Sequence, residues 1–301
     1  MPTVEPVRRT PEIEEFTNRW LIHPLAARLV PCFAAMRVSA NVVSLAGMTC
    51  GLLAGFAYYH YADRWYALAG FALMIAWHVL DGADGQLARL TRTQSELGKV
   101  LDGICDYVTF IAVYVALAAA MRPAFGVRAW ALVAVAGACH ALQAAAYEAT
   151  REDYRSFASE PTPLPSGTAR GGASDRASAR GLRRVFARLD AYYQRVQREL
   201  AGGHARYRRR LTDVLDHSPG REASIRAGYR ASFAPAVRRW SVLSSNYRTF
   251  GLFLGAWFQA PAAFFEVEIL GLSAVLAILS VDQRLRYVRF LRRIEDACAS
   301  R

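Results

Sequence analysis

Apolar residues in this chain fall in long blocks divided by short charged stretches. Residues 38–62 carry no formal charge over 25 positions, enough helix to cross a hydrocarbon core of about 30 Å. A second block, 65–80, ends abruptly at Asp81, and a third, 100–121, carries Asp102 and Asp106 in its first third. Residues 129–147 make a fourth, with His140 as its main polar position. After a long polar stretch, 249–265 and 267–281 read as a fifth and sixth, meeting near Pro261, with Glu266 and Glu268 near the outer end of the last helix. The pattern predicts an all-α integral membrane protein with about six transmembrane helices, although a buried amphipathic hairpin would give the same signal for the last two. Ahead of the first span, Trp20, Leu21, Leu25, Leu29 and Phe33 recur at helical spacing, which predicts a lead-in helix over 19–37 lying at the membrane interface.

Five segments follow from this pattern. They are an N-terminal cytoplasmic and interfacial segment (1–37), the first four spans (38–148), a long basic loop (149–247), the last two spans (248–283) and a basic tail (284–301). Residues 1–16 hold six Glu and Arg residues and no apolar core, so no cleavable signal peptide is expected. Basic segments at 89–99, in the long loop and at 284–293 place both termini in the cytoplasm by the positive-inside rule, in the cytoplasmic membrane if the cell is bacterial.

Composition changes the picture in two ways. With 53% hydrophobic residues the chain is not disordered, and five cysteines in 301 residues do not make a disulfide scaffold. The net charge of +12 sits mostly in 151–248, where 20 arginines face nine acids, a balance of +11. Lys99 is the only lysine, so the arginine bias itself is no functional signal. Residues 156–180, rich in Pro, Gly, Ser and Ala, read as a flexible linker. Leu182, Val185, Phe186, Leu189, Tyr193, Val196 and Leu200 then form the stripe of an amphipathic helix. No aromatic–basic or groove-reading motif accompanies the arginines, so nucleic acid is not expected as a partner, and anionic membrane lipids are the simpler one.

The chemistry concentrates between the second and third spans. Asp81 and Asp84 are three apart and share a helix face; Gly98, Asp102 and Asp106 are spaced by four and share another. A short turn between the spans brings these carboxylates together at the cytoplasmic boundary. One Asp near the middle of a membrane helix costs about 2.5–3.5 kcal/mol, less toward the interface. Arg89 offsets one charge and not four, whereas hard divalent cations, Mg²⁺ or Mn²⁺, suit an oxygen-only ligand set. Glycines at 82, 85, 98 and 103 remove side chains where a backbone or substrate must come close. Helix caps or an ion-pair cluster are the plain alternative, and one that does not explain all four acids in a fixed register.

The segment Asp81-x-x-Asp84-Gly85-x-x-Ala88-Arg89, eight residues, Gly98-x-x-x-Asp102-x-x-x-Asp106 resembles the signature of the CDP-alcohol phosphotransferases at every fixed position. Residues 40–44, Ala-Asn-Val-Val-Ser, resemble more weakly the family's approach to its first span. The resemblance implies that Asp81, Asp84, Asp102 and Asp106 hold two Mg²⁺ or Mn²⁺ ions, with Asp106 also the general base toward the acceptor hydroxyl. Gly85, Ala88, Arg89 and Gly98 would line the CDP pocket. The reaction would be attack of an alcohol on the β-phosphorus of a CDP-alcohol with release of CMP, in phospholipid biosynthesis. CDP-diacylglycerol is the favoured donor; a CDP-linked headgroup donating to diacylglycerol or ceramide uses the same signature. A homodimer through membrane helices is also implied, and Gly47 and Gly51 could pack helices within one chain or between two.

The long arginine-rich loop departs from the family's compact members. Ser245, Asn246 and Arg248, just before the fifth span, are candidates for binding the acceptor, or else cap and anchor that helix. His78, three residues before Asp81, could support the metal ligands, and Cys105 is read as packing. From other classes, a divalent-cation transporter and a catalytically silent membrane scaffold remain open. No internal repeat of the transporter kind is visible.

Overall fold

A computed structural model describes residues 11–158, 202–217 and 220–299, and among them all regular structure is helical. A π turn (Asn18–Ile22) leads into α1 (His23–Ala35), followed by α2 (Ala40–Tyr59), α3 (Arg64–Leu90), α4 (Glu96–Phe125) and α5 (Val127–Ala158). Then come α6 (Gly202–Asp216), α7 (Glu222–Trp240), α8 (Ser245–Trp257) and α9 (Pro261–Glu266). A second π turn (Val267–Leu272) joins α9 to α10 (Ser273–Ala299).

Local chemistry sets the helix starts. Ser39, Asp63 and Ser95 each accept a backbone N–H of the following helix, from Val42, Trp65 and Gly98 at 3.4, 2.9 and 3.0 Å. Three ends share one closure. Val38, Thr93 and Ala260 donate back to the carbonyls of Phe33, Ala88 and Gly255 at 3.0, 2.9 and 2.8 Å. The residues before them, Arg37, Arg92 and Gln259, take left-handed φ of 56°, 55° and 58°, a place usually held by glycine. Gly126, at φ 59° and ψ −138°, breaks α4 from α5 in a conformation that only glycine reaches without strain.

Among the described residues, five helices are long and apolar enough to cross a membrane: Ala40–Tyr59, Arg64–Leu90, Val100–Phe125, Val127–Ala158 and Pro261–Asp296. With Leu52, Phe56, Ile111, Leu270 and Ile278 exposed on such helices, the chain is a multi-pass integral membrane protein whose apolar side chains face lipid. The block expected as the fifth span is divided differently. Its helix stops at Trp257, the left-handed Gln259 turns the chain, and Pro261, which has no N–H to lose, opens the next helix. At 13 residues α8 is about 20 Å long. Glu266 is exposed, and Glu268 lies fully buried on the π turn.

The described residues divide into two compact units, one within Met1–His140 and Ser244–Leu272, the other within Ala141–Leu243 and Ser273–Arg301. In the first, α2 lies against both α3 and α4 through a row of small residues. Gly47 faces Leu80 and Trp77, Gly51 the side chain of Thr109, and Gly55 the carbonyl of Ala112. These glycines therefore serve close packing within one chain. The lead-in helix buries Ile22, Ala26 and Val30 against Val79, Ala83 and Leu87 of α3 and exposes Trp20, Leu21 and Leu29.

The second unit occupies much of what reads as a basic loop. Tyr229 and Phe233 of α7 stack at 4.3 Å between centroids and meet Tyr287 and Phe290 of α10, and the Tyr229 and Tyr287 hydroxyls are 3.2 Å apart. Arg208 of α6 pairs with Asp153 of α5 at 3.1 Å. Helix α7 was not anticipated because its core residues are interleaved with arginines. The expected stripe from Leu182 to Leu200, and all but the first three residues of the expected linker, lie outside the described residues.

Gly51→Ala is expected to cost about 1–3 kcal/mol, because the new Cβ overlaps the β-branched Thr109, which cannot turn aside. Gly103→Ala, where a Cβ meets nothing within 4 Å, is expected to leave stability unchanged or slightly raised. Thermal unfolding of the detergent-solubilised variants measures both.

Candidate active site

Helix α3 ends with Asp81, Asp84 and Arg89 on its last turns, and α4 begins at Glu96. The left-handed closure at Arg92 and the Ser95 cap leave only 91–95 to reverse the chain. One carboxylate oxygen each from Asp81, Asp84 and Asp102 consequently lies within 4.8 Å of the other two. Asp106, one turn beyond Asp102, is the charge that acts most strongly on Asp81, ahead of Asp102 and Asp84. The structure thus gathers three acids of the signature, with the fourth, Asp106, one turn further along α4. Asp84 is buried; Asp81, Asp102 and Asp106 are half-buried.

The donor set fits a hard divalent cation. It is all carboxylate, and no His or Cys ligand atom belongs to the group. Asp84 is further held by a hydrogen bond from the Ser44 hydroxyl of α2, a group that also approaches the Ala40 carbonyl at 3.2 Å. The charge of Arg89 reaches Asp84 from one turn further along α3.

The four glycines of the segment do different work. Gly82 packs against Ile22 and Ala26, which seats the lead-in helix on the back of the motif. A Cβ at Gly85 would lie 3.5 Å from the Arg89 guanidinium, and one at Gly98 would press on the Ser95 hydroxyl at 3.2 Å, with Asn41 at 3.6 Å. Gly103, beside Asp102, faces open space. Ala88 and Arg89 are half-buried on the same stretch of α3 as Gly85.

The candidates before the last hairpin are drawn into the protein. Asn246 donates its amide to Glu15 at 2.7 Å and to Asn18 at 2.9 Å. Arg248 is buried, with Nε donating to Glu268 at 2.9 Å and a terminal nitrogen to the Ser244 carbonyl at 3.2 Å. Ser245 is half-buried. His78 reaches Thr249, at 2.9 Å, rather than a carboxylate, and Cys105 is buried as packing. Sequence reasoning passed over Ser44 as a ligand-supporting group. Its place in the weaker 40–44 resemblance was the available signal. Nothing local marked Thr249 or Tyr114.

Residues 37–168 match the family model described as CDP-alcohol phosphatidyltransferase. That stretch of the chain is similar to the family's domain. Within the matched residues lie α2 to α5 and all four acids. A similar curated protein is "Uncharacterized CDP-alcohol phosphatidyltransferase class-I family protein 2" of Dictyostelium discoideum, 29% identical over 97 residues, 30% of this chain and 24% of that one. The chain thus matches about a quarter of the length of this relative. No solved structure matches.

Ser44→Ala is expected to weaken Mn²⁺ binding by about 10–100-fold, the usual effect of releasing a ligand from its supporting hydrogen bond. Asp84→Asn is expected to weaken it further. Mn²⁺ titration followed by electron paramagnetic resonance on protein in lipid nanodiscs measures both.

Proposed function

We propose that the chain is a membrane-embedded, divalent-metal-dependent CDP-alcohol phosphotransferase of phospholipid biosynthesis. It transfers a phosphatidyl group from CDP-diacylglycerol to an alcohol acceptor and releases CMP. The observation that carries this reading is the convergence of Asp81, Asp84 and Asp102 from two helices, with Asp106 beside them, within the family's domain.

Asp81, Asp84, Asp102 and Asp106 would hold two Mg²⁺ or Mn²⁺ ions. When bound, these supply the positive charge that neutralises the diphosphate and the departing CMP. Arg89 offers its guanidinium to the diphosphate, and Gly85, Ala88 and Gly98 leave the helix surfaces low enough for the nucleotide to lie against them. Asp106 takes the proton of the acceptor hydroxyl as its oxygen bonds to the β-phosphorus. The bond from that phosphorus to the bridging oxygen breaks, and CMP leaves with the electron pair. The half-burial of the acids supports a site shielded from bulk water yet open to ligand. Of the residues offered for the acceptor, Ser245 keeps partial exposure, while Asn246 and Arg248 already bind protein groups.

In the sequence Arg89, Arg92 and Lys99 fall between the two pairs of acids, and this basic stretch supports a site facing the cytoplasm. The same side would hold both termini and the arginine-rich segment, against anionic lipid.

The test is CMP release in nanodiscs with Mg²⁺ or Mn²⁺, CDP-diacylglycerol and a panel of polar alcohols and alcohol phosphates. Metal-dependent release is expected, and Asp106→Asn is expected to lower it by about 10²–10⁴-fold, the contribution of a positioned general base. Release untouched by Asp106→Asn would sink the mechanism. Release only from a CDP-linked headgroup with diacylglycerol or ceramide would move the lipid from donor to acceptor.

A further inference from the structure

Beneath the carboxylates lies a second polar constellation that the transfer reaction does not use. The Glu268 carboxylate, fully buried on the π turn, receives Arg248 Nε at 2.9 Å and the Tyr114 hydroxyl at 2.8 and 2.7 Å from its two oxygens. His140 Nδ1 stands 3.1 Å from the same hydroxyl. The next residue of α8, Thr249, has its hydroxyl 3.2 Å from the Ser245 carbonyl and 2.9 Å from His78 Nε2. With its own proton on that carbonyl, Thr249 accepts from Nε2–H, which sets the tautomer of His78.

The partners of Thr249 and Glu268 stand on the two helices that carry the acids. His78 precedes Asp81 by three residues on α3. Tyr114 follows Asp106 by eight on α4, in the stripe Asp106, Phe110, Tyr114. Between the two levels the rings of Trp77 and Phe110 meet edge to face at 5.4 Å. The glycine contacts of α2 allow close approach but are not directional, so they leave the helices free to turn about their axes. A side-chain tip about 5–6 Å from a helix axis moves about 2 Å when the helix turns about 20°. Ligand sets tolerate about 0.2 Å. Directional bonds from Thr249 of α8 to α3, and to α4 from Glu268, which Arg248 of α8 holds in place, would resist that rotation.

We propose that Thr249 and Glu268 are positioning residues: through His78 on α3 and Tyr114 on α4 they hold Asp81, Asp84, Asp102 and Asp106 at one another. The proposal rests on the reading of the cluster as a divalent-cation site. It does not require that the reaction be phosphatidyl transfer.

The experiment is Mn²⁺ affinity, by electron paramagnetic resonance on the full chain in nanodiscs, with CMP release measured in parallel. Thr249→Val keeps the shape and removes the hydroxyl; Thr249→Ser keeps the hydroxyl; Tyr114→Phe removes the other contact two turns away. Thr249→Val and Tyr114→Phe are expected to weaken Mn²⁺ binding about 10-fold or more at wild-type helical content, with Thr249→Ser restoring it. Unchanged Mn²⁺ affinity in both folded variants overturns the proposal. So does equal weakening in Thr249→Ser, which would indicate packing rather than the hydrogen bond. Should Thr249→Val not fold, the affinity of Tyr114→Phe decides. Wild-type protein that binds Mn²⁺ but releases no CMP defeats the transfer reading and leaves this test intact, whereas wild-type protein that binds no Mn²⁺ defeats this proposal.

Discussion

Four carboxylates held together at the edge of a low-dielectric slab repel one another, and much of the first unit is arranged around keeping them there. Two come from the end of α3 and two from the start of α4, so the turn between these helices must be short. Arg92 accepts a left-handed backbone for that purpose although it is not glycine, a conformation that costs on the order of 1–3 kcal/mol. Ser44 holds the most buried acid from a third helix, and Gly82 lets a fourth lie flat behind the motif.

The same logic explains the buried pair of Arg248 and Glu268. Removing one partner from such a pair costs about 3–5 kcal/mol, because the other is left charged and unpartnered in the interior. The pair is therefore a strong constraint on how the α8–α9 hairpin seats, whatever its net contribution to stability. Helix α8 is too short to span a membrane alone, and it is held by polar bonds rather than by length. Asn246, Arg248 and Thr249 each reach a different element within one turn: the N-terminal segment, the π turn and α3.

In the second unit the arginines are partly consumed by the fold. Arg208 meets Asp153, Arg239 and Arg286 share Asp282, and Arg210 meets Glu295. The aromatic faces of α7 and α10 supply the core beneath them. A segment with a large positive balance is thus structural, and fewer of its arginines are left unpaired than their count implies.

The helices and the four acids were legible because both depend on local periodicity. Long apolar blocks identify helices that lipid can surround, and spacings of three and four place Asp81 with Asp84 and Asp102 with Asp106 before any packing is known. Helix ends were less legible. Arg37, Arg92 and Gln259 occupy positions where glycine would have signalled the turn, and the last hairpin turns at Gln259, beside the junction expected near Pro261. Helix α7 escaped notice because arginine hides the stripe of Ile225, Tyr229, Phe233 and Val237. What only tertiary structure decided are the partners: Ser44 with Asp84 across 40 residues, His78 with Thr249 across 171, Tyr114 with Glu268 across 154. A polar residue in a membrane helix announces that it needs a partner. Which partner it finds depends on how the helices pack, and no spacing along a single helix carries that.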